Sequence, residues 1–114
     1  MNTVRFANNV STELTQAALA SDTTLHVAPL TAGTVWPALT EAGDYCMLVL
    51  QAEGSNTFEI IKCTEIVSPA VGSSNPDYTL TVIRGQEDTT PAAFETGTVV
   101  ENRLTAGTLA LLFQ

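Results

Sequence analysis

The feature that most restricts the fold of this chain is a pair of apolar segments separated by a short turn. "YCMLVLQA" covers residues 45–52 and "TFEIIKCTEIV" covers residues 57–67, with Glu-Gly-Ser-Asn between them. Both segments have the length of a β-strand, and the tetrapeptide is typical of a turn, so the pattern predicts an antiparallel hairpin. Because the first segment is apolar almost throughout, it is predicted to be a central strand covered on both faces.

Shorter segments extend this strand pattern along the chain. Further strands are predicted at 12–18, 23–28, 78–83 and 98–104. The first two flank the turn-prone Ala-Ser-Asp, which predicts a second hairpin, and a helix over 12–20 is the alternative. "PAAF" at 91–94 predicts one helical turn, since proline suits the first position of a helix. Residues 105–113 are predicted to form a short helix or a last strand.

Composition supports a strand-rich domain. Threonine is the commonest of the 114 residues, and its β-branched side chain suits a pleated, half-buried surface. A chain of this length has room for one modest core. We therefore predict an all-β fold, a small antiparallel barrel or sandwich with short helical turns. Residues 1–12 are predicted to form an N-terminal arm and residues 13–114 a single β domain.

Charge narrows the range of partners. Four basic residues against twelve acidic ones give a formal net charge of −8, which opposes binding to a phosphate backbone or an anionic membrane. No stretch approaches the ~20 apolar residues of a membrane-spanning helix, and the first residues lack the apolar core of a secretory signal. We expect a soluble protein, made in the cytoplasm, that binds neither nucleic acid nor membranes.

Side chains that carry catalytic chemistry are scarce. His26 is the single histidine and alternates with apolar residues in a predicted strand, a pattern more typical of a structural side chain than of a catalytic one. Glu87 and Asp88 share a loop but lack the spacing of a calcium-binding loop. The sequence therefore predicts no enzyme, no cofactor and no metal site.

Two further groups of residues leave alternatives open. Cys46 and Cys63 lie in apolar runs, which predicts two reduced core thiols, with a late disulfide as the alternative if their strands pair. Trp36, Tyr45 and Tyr78 offer stacking surfaces, so a small-molecule or glycan-binding module is a rival function. Aromatic residues so far apart in sequence are, however, more often core or loop anchors.

The segment from Thr81 to Leu109, "TVIRGQEDTTPAAFETGTVVENRLTAGTL", resembles a module found in structural proteins of tailed bacteriophages. In that family a strand ends in Arg-Gly-x-Glu-x-Thr-x-Ala and is followed by an aromatic residue, a glycine and a strand reading Val-Glu-x-Arg-Leu-Thr-Ala. "NNVSTELTQAALASDTTLHVA" and "FEIIKCTEI" resemble its opening and its middle strand. The chain departs from the pattern at Asp88, where the family commonly has glycine, and at Pro91.

The resemblance implies a non-enzymatic structural protein of a tailed-phage virion. Within the particle it implies an adaptor in the tail, neck or collar, or baseplate region that attaches fibres, and the alternative is a decoration (cement) protein on the capsid. The partners implied are further copies of the chain, as in a trimer or hexamer, and other virion proteins. The protein would be made in the host cytoplasm and located in the virion.

The motif also has a physical interpretation. Gly85 permits a sharp exit from the strand, and Arg84 is able to fork onto a carboxylate such as Glu87 or Glu101. Phe94 supplies an apolar anchor for the loop. These residues predict a loop that is fixed by an ion pair and an aromatic anchor and that closes a small sheet, in preference to a ligand site. The remaining motif residues are Gly97 and Arg103, and the apolar residues predicted to form an interface are Leu109, Leu111, Leu112 and Phe113.

Overall fold

The computed structural model describes residues 10–30, 36–37, 39, 42–52, 54 and 57–102. Within these ranges the chain forms six strands and no helix, which confirms the prediction of an all-β fold. The strands are β1 (Ser11–Glu13), β2 (Thr24–Val27), β3 (Cys46–Gln51), β4 (Phe58–Val67), β5 (Tyr78–Gln86) and β6 (Val99–Asn102).

All six strands belong to one antiparallel sheet in the order β1-β6-β3-β4-β5-β2. The sheet curls into a half-barrel, and its two edge strands meet just beyond β1. There Leu14 forms a β-bridge with Val27, and the Thr15 amide donates to the carbonyl oxygen of His26 at 2.9 Å. This contact pairs part of the edges that would otherwise be open to another chain.

The predicted hairpin at 45–52 and 57–67 is confirmed. Strands β3 and β4 pair in register from Cys46 opposite Cys63 to Gln51 opposite Phe58. Strand β3 lies between β4 and β6, and it is buried on both faces, as the continuous apolar run predicts. On its inner face Leu48 and Leu50 are fully buried.

The predicted hairpin at 12–18 and 23–28 is present in part, because Leu14 bridges to Val27 and the Thr15 amide donates to the His26 carbonyl, while the alternative helix over 12–20 is absent. The longer ladders join partners distant in sequence, since β1 pairs with β6 and β2 pairs with β5. The turn between them is real: the Asp22 amide donates to the Leu19 carbonyl at 3.0 Å. Next to this turn Ala18 bridges to Phe94, so the pairing of the two segments is confined to the bridge between Leu14 and Val27.

That same bridge explains a second correction. The helical turn predicted at 91–94 is wrong, because Phe94 and Ala18 exchange two backbone hydrogen bonds of 2.8 Å each, which requires extended backbone. The strand predicted at 98–104 is present as β6. The segment 105–113, predicted as a helix or strand, lies outside the described residues, as does 1–9 of the predicted arm, whereas Ser11 and Thr12 lie in β1.

The core fills the inner face of the curled sheet. Its buried members among the described residues are Leu14, Ala18, Leu25, Val27, Cys46, Leu48, Leu50, Ile61, Cys63, Leu80, Val82, Phe94 and Val100. A bulge in β4 next to Thr64 shifts the register between Cys63 and Glu65. Beyond it Ile66, rather than Glu65, packs against the core, which explains the imperfect alternation of this strand.

Candidate functional site

Strand β5 contains a bulge at the centre of the motif. Arg84 and Gly85 together lie opposite a single residue of β4, Ile61. Gly85 has φ of 61°, and a Cβ at this position would stand 2.8 Å from Cδ of Pro91, so both the dihedral and the close approach require glycine. Gly85 was expected to end the strand, but the bulge absorbs the irregularity and the strand continues to Gln86.

The Arg84 side chain points into the half-barrel, because it follows the inner-face residues Leu80 and Val82 at the alternation of the strand. There it meets the Glu59 carboxylate of β4. The Nε and Nη2 atoms of the guanidinium donate to the two carboxylate oxygens at 2.7 and 2.8 Å, a bidentate pair. Only 5% of the arginine side chain and 0% of the glutamate side chain are exposed to solvent.

The remaining guanidinium donors bind backbone carbonyls from two other segments. Nη1 donates to the carbonyl oxygens of Leu19 at 2.7 Å and Asp22 at 3.0 Å, and Nη2 donates to Ala92 at 2.6 Å. All five N–H groups of the arginine are thus used. One side chain connects strand β4, the turn at 19–22 and the loop that follows β5.

The Glu59 carboxylate likewise has hydrogen-bond partners at both of its oxygens. Besides the two bonds from Arg84, it accepts the backbone amides of Gly85 and Ala92, each at 2.9 Å. Burial alone would raise the pKa of Glu59, but the hydrogen bonds from Arg84, Gly85 and Ala92, together with the charge of Arg84, outweigh it and lower that pKa. Glu59 is therefore ionised within the fold, and its oxygens are occupied by groups of the protein itself.

A tight turn follows the bulge. Its central residues Glu87 and Asp88 have φ of 51° and 66°, and the Thr89 amide donates to the Gln86 carbonyl at 3.0 Å. Two positive dihedrals are typical of a type I′ turn, in which aspartate is tolerated. The Thr89 hydroxyl donates to Gln86 and accepts the amide of Ile60 at 3.0 Å, which fastens the turn to β4.

The partner of Arg84 is thus a residue that the sequence did not suggest. Glu59 takes the guanidinium, and neither Glu87 nor Glu101 does. A signal was present in β4, since Glu59 shares a face with Ile61 and Cys63, and a charge on a core face needs a partner. Identifying that partner requires the register of β4 against β5, which the sequence does not contain.

The other motif residues occupy structural positions. Phe94 is 3% exposed and lies in the core, Gly97 has φ of 92° in the turn that leads into β6, and Glu101 lies half-buried in β6. Arg103 lies outside the described residues. So do the four predicted interface residues, Leu109, Leu111, Leu112 and Phe113.

At the opposite end of β5 lies a groove of about 510 Å³, which we call the aromatic groove. It is lined by Trp36, Pro37, Leu39, Thr64, Glu65, Ile66, Ser68 and Tyr78. The rings of Trp36 and Tyr78 have centroids 6.2 Å apart and planes inclined by 40°. Tyr45, the third aromatic residue of the predicted set, does not line this groove and stacks with Lys62, whose Nζ lies 4.5 Å from its ring centroid.

The two cysteines lie directly opposite each other on β3 and β4. Both are free and fully buried, so they lie in the core as predicted, while the pairing of their strands meets the condition set for the alternative of a late disulfide. A hydrogen bond between the two thiols raises the pKa of Cys46, and burial raises it further. The Cys63 thiol donates to the carbonyl oxygen of Glu65 at 3.4 Å.

Over the described ranges, no group of three or more His, Cys, Asp or Glu side chains is arranged to hold a metal ion. The same part of the chain has no helix of the length and apolarity needed to cross a bilayer. In comparisons with known proteins, no family model matches this chain, and no curated protein matches it at a significant level.

Proposed function

We propose that this chain is a non-enzymatic structural protein of a tailed-phage virion, present in several copies as an adaptor in the tail, neck or baseplate region. The proposal begins from the resemblance of residues 81–109 to the phage module. It takes its physical support from the use that the fold makes of those residues.

The observation that carries the proposal is the saturated contact between Arg84 and Glu59. A catalytic or ligand-binding arginine needs donors that are free to reach a substrate, whereas all five donors here bind Glu59 and backbone carbonyls. All hydrogen-bond donors of the motif's first arginine are therefore used within the domain. An arginine whose donors are all bound within the protein is expected to stabilise the fold, so this contact favours a structural role over an enzymatic one.

Assembly with other subunits is supported by the outer face of the sheet. Phe58 on β4 and Ile83 on β5 are 51% and 48% exposed, and Val67 at the end of β4 is 46% exposed. These side chains are spread along β4 and β5, since Phe58 and Val67 lie at the two ends of β4 and Ile83 lies opposite Lys62, so they offer separate apolar contacts to a neighbouring subunit. We expect this face and the apolar segment 109–113 to contact other copies or other virion proteins.

A quantitative mass-spectrometric inventory of purified particles tests the proposal. We expect the protein in the virion at a low copy number that matches the symmetry of the tail or neck, such as that of a trimer or hexamer. A copy number comparable with that of the major shell protein would assign it to capsid decoration instead. Absence from particles, together with a strict monomer in light scattering, would exclude the structural role.

Deletion of residues 109–114 tests the predicted interface. We expect the truncated protein to keep strand-type circular dichroism while losing oligomerisation or incorporation into particles. Outright unfolding of the truncated protein would mean that the segment belongs to the core of the domain.

A further inference from the structure

The aromatic groove has the size and lining of a ligand-binding site, and the proposed structural role gives it no function. Its walls come from three places: the segment around Trp36, the end of β4 beyond the bulge, and Tyr78 at the start of β5. Its volume of about 510 Å³ lies within the range of small-molecule sites in proteins.

Two half-buried rings supply its apolar surface. Trp36 and Tyr78 are inclined by 40° with centroids 6.2 Å apart, so they form a shallow angle and not a closed stack. Both also pack against the core, which holds them in place. An inclined pair of fixed rings suits a ligand that has a flat apolar face.

Polar groups stand beside the rings because of the bulge in β4. It leaves Thr64 and Glu65 exposed in succession, and Ser68 follows on the same wall. The Glu65 carboxylate and the two hydroxyls provide hydrogen-bond acceptors and donors along the groove. A ligand here must therefore combine an apolar face with groups that both donate and accept hydrogen bonds.

Charge and hydrogen-bonding groups together favour a neutral ligand. The net charge of −8 and the carboxylate of Glu65 oppose an anionic ligand. Only one of the described groove residues is acidic, whereas the hydroxyl groups of Thr64 and Ser68 suit a ligand with hydroxyl groups of its own. We propose that the aromatic groove binds a neutral carbohydrate, which stacks its C–H face on Tyr78 and Trp36 and places hydroxyl groups on Thr64, Glu65 and Ser68.

Trp36 is the single tryptophan of the chain, so its fluorescence reports directly on the groove. The probes are chitotetraose, maltotetraose and cellotetraose, with choline as the cationic control and glycerol as the control for a non-specific polyol effect. We expect a saturable change in emission with at least one oligosaccharide, with a Kd on the order of 1 mM, and none with choline or glycerol. Saturable binding of choline, or no saturable response to any of the three sugars, would overturn the proposal.

Matched tyrosine variants locate the response. Tyr78→Ala removes one wall of the groove, whereas Tyr45→Ala removes a partly buried tyrosine that lies outside it. We expect at least a tenfold weaker sugar response for Tyr78→Ala and an unchanged one for Tyr45→Ala. Glu65→Gln, at an exposed position, serves as a second groove variant if Tyr78→Ala does not fold, and it should also weaken binding. Equal loss in the tyrosine variants, or full binding in every folded groove variant, contradicts the assignment.

Discussion

The two ends of strand β5 use inner-face side chains in opposite ways. Arg84 and Tyr78 lie on the same face of the strand, separated by roughly 20 Å of extended chain. At the Arg84 end every donor and acceptor of the buried ion pair is matched within the protein. At the Tyr78 end, the indole donor of Trp36 is buried without an acceptor among the described residues.

The buried groups at the Arg84 end hold the fold together, because their hydrogen bonds are made within the protein. The Tyr78 end instead carries a groove that is open to solvent, lined by two aromatic rings and the exposed Glu65 carboxylate. We therefore assign a structural role to the first end and propose ligand binding only at the second.

The largest expected effect is the loss of Arg84. Arg84→Ala leaves the Glu59 carboxylate buried with two amide donors and no counter-charge, so we expect a loss of about 3–5 kcal/mol in the free energy of unfolding. Lys62→Ala is the matched control, because Lys62 contacts Tyr45 at the surface of the sheet. It should cost at most about 1 kcal/mol. Urea unfolding followed by circular dichroism measures both, and similar losses in the two variants would contradict a special contribution of the buried ion pair.

Gly85→Ala is expected to have the next largest effect. The φ of 61° costs about 1–2 kcal/mol for a residue with a Cβ, and the approach of that Cβ to Pro91 adds steric strain. Gly72→Ala is the matched control, since Gly72 has φ of 82° but no atom within 4 Å of the added Cβ. We expect Gly85→Ala to lose more stability than Gly72→Ala. Equal losses would show that the bulge tolerates a side chain.

The pH dependence of stability should carry a contribution from Glu59. Its pKa is lowered in the folded protein from an ordinary value of 4.5. A depressed carboxyl pKa contributes stability that is fully present above the unfolded value and is lost as pH falls through the folded value. The difference in unfolding free energy between wild type and Glu59→Gln should thus be constant above about pH 5.5 and shrink below about pH 4.5. A difference that stays constant down to acid-induced unfolding would contradict the ionised state of Glu59.

Trp36→Phe is expected to have the smallest effect on stability. Phenylalanine keeps a ring in the groove and removes the buried N–H that lacks an acceptor among the described residues. The change in unfolding free energy should be less than about 1 kcal/mol in either direction. Circular dichroism must follow this variant, because the single tryptophan is gone. A large loss would mean that the indole N–H has a structural partner.

Local patterns predicted the parts of the fold that depend on local pairing. The hairpin of β3 and β4 follows from two apolar runs and one turn, and the burial of β3 follows from its continuous apolar character. The partners of β1 and β2 could not be read in this way, because they pair with β6 and β5 across long sequence separations. Phe94 was predicted as an anchor, but its extended pairing with Ala18 depends on the curl of the sheet.

The two ends of β5 were predictable to different degrees. The sequence predicted the types of residue: an arginine that pairs with a carboxylate, a glycine at a sharp bend, and a set of aromatic residues. Their partners depended on register and bulges. Alternation places Arg84 on the inner face, but its pairing with Glu59 depends on the register of β5 against β4, and the bulge beside Thr64 creates one wall of the aromatic groove. Neither the register nor the bulge follows from strand alternation alone.

A double-mutant cycle on Arg84 and Glu59 tests the central claim most directly. The variants are Arg84→Met, Glu59→Met and the double substitution, with Thr81→Val and Glu65→Gln as a control pair joined by an exposed 3.4 Å hydrogen bond. Each single methionine variant leaves one buried charge unmatched, while the double variant leaves neither.

We predict that the double variant is more stable than either single variant, with a coupling energy of at least about 2 kcal/mol against less than about 0.5 kcal/mol for the control pair. If a single variant fails to fold, recovery of folding in the double variant gives the same answer. Additive losses at Arg84 and Glu59, equal in coupling to the control pair, would contradict the claim that this ion pair is the structural centre of the motif.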